Sequence, residues 1–105
     1  MTAGHEPSNE LLTLCAHDST LMVAGEIDAS NSDEIRRAID DLPAGDRTIM
    51  VESVSFIDCA GLSTLVAATI DSRRAGSNLV LSRPSRTVER IMELTDTAEF
   101  FTIDR

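Results

Sequence analysis

Asp58-Cys59-Ala60-Gly61 sets a carboxylate, a thiol and a glycine in one short run between two regular patterns. Before it, Ile49 to Val51 is continuously apolar, which reads as a parallel strand covered on both faces. After it, Leu62, Leu65, Val66, Thr69 and Ile70 fall at i, i+3, i+4, i+7 and i+8, one stripe of a helical period. Ser55 to Gly61 is therefore expected to turn the chain and to present the first N–H groups of a helix. Those groups lack internal partners and carry partial positive charge, so a carboxylate or a thiolate placed there is stabilised.

Each residue of the run has a bland reading beside a chemical one. Asp58 caps the helix, which is worth about 1 kcal/mol, or touches a partner. Gly61 allows a close backbone approach or merely starts the helix. Cys59 packs as a small residue, serves as a redox-sensitive thiol, or acts as a nucleophile. For the last role a base and an anion cradle are needed. No Arg stands at the sixth position after Cys59, and His5 and His17 fall in an N-terminal tail and a turn. Catalysis is not expected.

Bulk properties narrow the classes further. A formal charge of −9 argues against nucleic acid, whose phosphates require clustered cations, and against anionic lipid. Such a balance suits a basic protein partner, and it also suits simple solubility. With no Trp or Tyr and three Phe, stacking platforms for bases or sugars are not expected. Cys15 and Cys59 form no CxxC and share no ligand spacing with the two histidines, so neither a metal nor a cofactor is implied. No stretch approaches the ~20 apolar residues of a membrane span. The first ten residues have neither a basic patch nor an apolar run, so no secretory signal is read. The expectation is one cytoplasmic domain over residues 1–105, with 1–9 as a flexible tail.

The elements that must position the run follow from pattern. Glu10 to Ala16 and Leu21 to Ala24, joined by His17-Asp18-Ser19-Thr20, predict an antiparallel hairpin, with Gly25 ending its second strand. Ser30 and Asp33 approximate a capping box for a helix that buries Ile35, Ala38, Ile39 and Leu42. Pro43-Ala44-Gly45-Asp46 stops that helix, and Arg73-Arg74-Ala75-Gly76 closes the next one. Leu79-Val80-Leu81 predicts a second buried parallel strand. Pro84 is placed in the first turn of a third helix that carries Val88, Ile91 and Met92 inward. Asp96 to Ala98 is a loop, and Phe100 to Ile103 is a last strand. The order β-β-α-β-α-β-α-β calls for an α/β fold, a mixed sheet with right-handed crossovers and helical cover.

Phe56-Ile57-Asp58-Cys59-Ala60-Gly61-Leu62 resembles the signature of STAS domains, the anti-sigma factor antagonist family. Gly25-Glu26-Ile27-Asp28 resembles that family's second mark. With the element order, the resemblance covers nearly the whole chain. It implies a STAS fold and a non-enzymatic protein that binds an anti-sigma factor, often a serine kinase, and so frees a sigma factor. The surface it implies comprises Asp28, Phe56, Asp58, Cys59, Ala60, Gly61 and Ser63. The family's phosphoacceptor is a Ser or Thr directly after the Asp, and Cys59 departs from it. Control would then be absent, or rest on expression, on oxidation of Cys59, or on Ser55, Ser63 or Thr64. The resemblance also admits a different role, as the cytoplasmic STAS subunit of a membrane lipid-transport assembly.

Overall fold

The computed structural model describes residues 11–105. The expected tail, His5 and the Glu10 strand start lie outside them. The order of elements is β1 (Leu12–His17), β2 (Thr20–Ile27), α1 (Ser32–Asp40), β3 (Arg47–Ile57), α2 (Cys59–Arg74), β4 (Leu79–Ser82), α3 (Arg86–Thr95), a short 3-10 turn (Ala98–Phe100) and β5 (Thr102–Asp104). The strands form one sheet in the order β1-β2-β3-β4-β5, with β1 antiparallel to β2 and the remaining pairs parallel. This is the expected mixed α/β sheet.

The parallel strands step in one direction, β2 to β5. Right-handed crossovers taken in one direction set every connecting helix on the same side of the sheet. Accordingly Ile35 and Ile39 of α1, Leu62, Leu65 and Ala68 of α2, and Val88 and Met92 of α3 share one core with Leu21, Val23, Ile49, Val51, Leu79 and Leu81. The expectation of parallel strands covered on both faces is corrected here. Met22, on the other face, is 49% exposed, and Met50 and Val80 are half-buried.

The central strand departs most from its sequence reading. Thr20–Ile27 of β2 faces Thr48–Ile57 of β3, eight residues against ten. The register shifts once between Met22 and Ala24 and again between Gly25 and Glu26. Each shift inserts one extra residue into β3, a bulge that resets the alternation. Val51, Val54 and Ile57 are therefore all buried, three residues apart, while the pairs between them are exposed. That spacing conceals a strand from a search for period two, so Ser55 to Ile57 read as loop. It is strand, and the turn shrinks to Asp58.

Other boundaries moved for local reasons. Gly25 does not end β2: at φ +99 it carries the strand through its irregular stretch, and a Cβ there would lie 1.9 Å from the Leu11 carbonyl oxygen. No capping box forms. Asn31 is the N-cap of α1 and its side chain turns inward, while Ser30 bonds to Asp28 instead. Pro84 lies outside α3, whose N-cap is Ser85, with Oγ accepting from the Val88 N–H at 3.2 Å. In α2 the buried stripe runs through Leu62, Leu65, Ala68, Thr69 and Ser72, leaving Ile70 half-buried. Beyond α2 the Ser77 N–H donates to the Ser72 carbonyl, and Gly76 takes φ +81, the glycine stop that Arg73-Arg74-Ala75-Gly76 implied. The last strand starts at Thr102 because Ala98–Phe100 winds into the 3-10 turn.

Arg36 ties α1 to α2. Its Nη2 donates to Asp71 Oδ2 at 2.6 Å, and its Nε donates to Asp40 at 3.1 Å. The Arg36 hydrogen bond holds the Asp71 carboxyl below its ordinary range.

Gly25→Ala is the sharpest test of the bulged strand pair. A side chain there meets backbone and must hold a left-handed conformation, at a cost of roughly 1–3 kcal/mol for the dihedral alone. Urea denaturation is expected to show a loss of at least ~2 kcal/mol. A loss below ~0.5 kcal/mol would mean that β2 runs past Leu11 by another path.

Candidate functional site

The candidate site is built where β2 and β3 end side by side. Ile27 pairs with Ile57, and the Asp58 N–H donates to the Ile27 carbonyl at 3.1 Å. Asp28 and Asp58 thus leave adjacent strands at the same level, at the carboxyl edge of the sheet where α/β folds place their ligands. Two acidic residues thirty positions apart in sequence become neighbours through this register.

Asp58 is the N-cap of α2, with φ −104 and ψ −179, and its Oδ1 accepts from the Gly61 N–H at 2.8 Å. The Leu62 N–H donates to the Asp58 carbonyl at 2.9 Å and closes the first turn. Gly61 is buried, and a Cβ on it would meet Ile27 Cγ2 at 2.5 Å and the Ile27 carbonyl oxygen at 3.0 Å. Of the two readings of Gly61, close approach is the one the structure supports. Between these two fixed points Cys59 and Ala60 are exposed, as is Ser63 one turn on.

Asp28 is held by a local net. Its Oδ1 accepts from the Ser30 N–H at 2.9 Å and the Ser30 hydroxyl at 2.6 Å. Its own N–H donates to Asn31 Oδ1 at 3.0 Å, and Asn31 Nδ2 donates to the Glu26 carbonyl at 2.9 Å. Asn31, 3% exposed, is the residue that sequence reasoning missed. It sat in a run of capping residues, and nothing in that run marked it as the one turned inward.

Phe56 does not join the same patch. It pairs with Glu26 on the open side of the sheet, opposite α2, and is 47% exposed. It shares a rim with Asp28, Asp58 and Cys59 but faces the other way. Among the described residues no group of three or more His, Cys, Asp or Glu is placed to hold a metal, and no helix is long and apolar enough to cross a membrane.

Comparison with known proteins agrees with this architecture. The chain matches the STAS domain family over residues 14–105 and belongs to that family. Its fold is similar to that of a Thermotoga maritima protein provisionally named an anti-sigma factor antagonist, with TM-score 0.72, 17% identity, and coverage of 95% of this chain and 91% of that one. An anti-sigma factor antagonist from Mycobacterium paratuberculosis follows at TM-score 0.69 and 21% identity, covering 89% and 83%. The unphosphorylated form of the anti-sigma factor antagonist SpoIIAA superposes at TM-score 0.66 and 19% identity, covering 90% and 88%.

Three outcomes test this geometry. Gly61→Ala is expected to lose roughly 1–2 kcal/mol in urea denaturation, because crowding against Ile27 outweighs the ~1 kcal/mol by which Ala favours a helix. A Gly61→Ala protein as stable as wild type would rule out the close approach. Asp58→Ala should cost about 1 kcal/mol through the lost cap.

The third outcome concerns the thiols. Cys15 pairs with Met22, five residues before Ile27, whereas Cys59 follows the strand partner of Ile27. The offset along the sheet alone is about 16 Å, and a disulfide needs Cα atoms within about 7 Å. Non-reducing peptide mapping after mild peroxide is expected to find oxidised Cys59 and no bridge to Cys15 within one chain. A dominant intramolecular bridge in the folded protein would contradict the strand order.

Proposed function

We propose that the chain is an anti-sigma factor antagonist, a cytoplasmic single-domain protein that acts by binding rather than catalysis. It engages an anti-sigma factor of the serine-kinase type and so releases a sigma factor for transcription. The observation that carries this reading is the register that sets Asp28 and Asp58 side by side, with exposed Cys59 at the start of α2. STAS membership and the similarity to proteins named for that role support it.

Asp28, Asp58, Cys59, Ala60 and Ser63 form the α2 side of the proposed contact, with Gly61 holding its backbone and Phe56 contributing from the far side of the rim. SpoIIAA has been described in both unphosphorylated and phosphorylated forms. By the family pattern, Cys59 occupies the phosphoacceptor position in this chain. A thiol is not an ordinary substrate of a Ser/Thr kinase, so control by phosphate at residue 59 is absent here.

Cys59→Asp tests both the surface and the mode of action. At a helix N-terminus a carboxylate gains about 0.3–1 kcal/mol in the free protein, so the melt should be unchanged or slightly raised. Pressed into an interface without a partner, the same charge costs on the order of 2–5 kcal/mol, or about 30-fold to several-thousand-fold in affinity. Affinity purification with wild type is expected to retain a kinase-type anti-sigma factor and with Cys59→Asp to lose it. Cys59→Ser should bind and accept phosphate from that kinase. Retention of a transporter ATPase subunit instead would overturn the reading, and normal binding by a folded Cys59→Asp would remove this surface.

A further inference from the structure

Beside the Arg36 tie a cavity of about 220 Å³ opens between α1 and α2. The space is left by small residues. Toward its end α2 changes from Leu62 and Leu65 to Ala68, Ser72 and Ala75, and Ala44 with Gly45 forms the facing loop. Ser72 lines the cavity and is only 7% exposed, yet its hydroxyl bonds to no described residue. Thr69, three residues earlier, returns its hydroxyl to the Leu65 carbonyl at 2.9 Å. An enclosed hydroxyl costs free energy unless something in the cavity bonds to it.

The charged groups around Ser72 are of both signs. Arg36, Arg47, Asp40 and Asp71 line the same cavity, two cations and two carboxylates. Their existing bonds leave capacity over. Arg36 uses Nε and Nη2 on the two aspartates, and Arg47 uses Nε and Nη2 on the Pro43 and Leu42 carbonyls. Each guanidinium thus keeps Nη1 without an acceptor among the described residues, and Asp71, which accepts through Oδ2, keeps Oδ1.

We propose that this cavity binds a small free α-amino acid. The ligand carboxylate takes the spare guanidinium N–H groups, its ammonium takes Asp71 and Asp40, and the Ser72 hydroxyl bonds to either end. A lone anion would meet two carboxylates there and a lone cation two guanidinium groups, so a ligand of both signs is the one matched. The volume equals that of about seven waters at ~30 Å³ each, room for glycine, alanine or serine but not for a long side chain. Ser72 stands about 20 Å along α2 from Cys59, so the site is separate from the proposed partner surface.

NMR titration of the ¹⁵N-labelled full chain with glycine, L-alanine and L-serine tests this, with thermal melts as the control for folding. Saturable shifts are expected at the amides of Arg47, Ser72, Ala75 and Ser77, with a Kd of roughly 1 mM or tighter. Propionate and ethylamine at the same ionic strength should bind at least tenfold more weakly. Ser72→Val, which removes the hydroxyl and fills the space, should weaken alanine binding by at least tenfold. Asp71→Asn, which keeps an acceptor for Arg36 and removes one negative charge, should weaken alanine and strengthen propionate. No saturable shift at these amides up to about 50 mM overturns the proposal, by showing a cavity that holds water alone. So does equal binding of propionate or ethylamine, a folded Ser72→Val that binds like wild type, or an Asp71→Asn that leaves the preference for alanine unchanged.

Discussion

The approach of the first turn of α2 to the end of β2 is the constraint on which the rest of the site depends. Gly61 stands where any side chain would run into Ile27, and the Asp58 N–H reaches the carbonyl of that same residue. Ile27 is fully buried, so it cannot yield by swinging into solvent. Strand β3 must therefore end level with β2, and α2 must start immediately, with Asp58 as its cap. The two bulges follow from the same demand. Ten residues of β3 fit beside eight of β2 only by placing two extra residues out of register, and Val51, Val54 and Ile57 keep their side chains in the core by doing so.

Element order, strand directions and the three helices were legible because the signals are long and redundant. Ile35 with Ile39, Leu62 with Leu65, and Val88 with Met92 repeat at helical spacing, and every one of them is buried. Asp58 and Gly61 were legible as a pair of alternatives, and contact with Ile27 decides Gly61 in favour of close approach. What escaped is nonlocal. Whether Gly25 ends a strand or carries it through a bulge depends on where Leu11 lies across the hairpin. Whether Ser30 or Asn31 faces inward depends on the Glu26 carbonyl, which needs a donor once β2 ends. The open face of the sheet was hidden by a rule of thumb: Ile49 to Val51 is apolar throughout, but Met50 sits on the uncovered side.

That this face has no helical cover among the described residues follows from topology rather than from composition. Strands added in one direction with right-handed crossovers put all their helices on one side, whatever the side chains are. On its central strands the sequence then uses moderate residues, with Asp104 at the edge of the same row as Met22 and Met50. Thr20, Thr48 and Thr102 share strand pairings at the lower end, and Met22 and Met50 sit above them. Threonine and methionine accept a half-exposed setting, Thr through its hydroxyl and Met through a flexible thioether. Such a surface is apolar enough to pack and polar enough to stand in water.

At the other side of the sheet the four residues of the α2 start divide their tasks cleanly. Asp58 satisfies the Gly61 N–H, and Gly61 permits the approach to Ile27. Cys59 and Ala60 point outward and contribute no side-chain hydrogen bond to the turn. The fold thus places strict demands on the first and fourth residues and few on the two between them. Residue 59 lies beside the cap, where the helix field favours negative charge, and outside the core, where added bulk meets solvent. A serine, a phosphoserine, an aspartate or a cysteine can stand there with the turn intact. The framework beside it, the Asp58 cap and the approach of Gly61 to Ile27, makes no demand on that side chain.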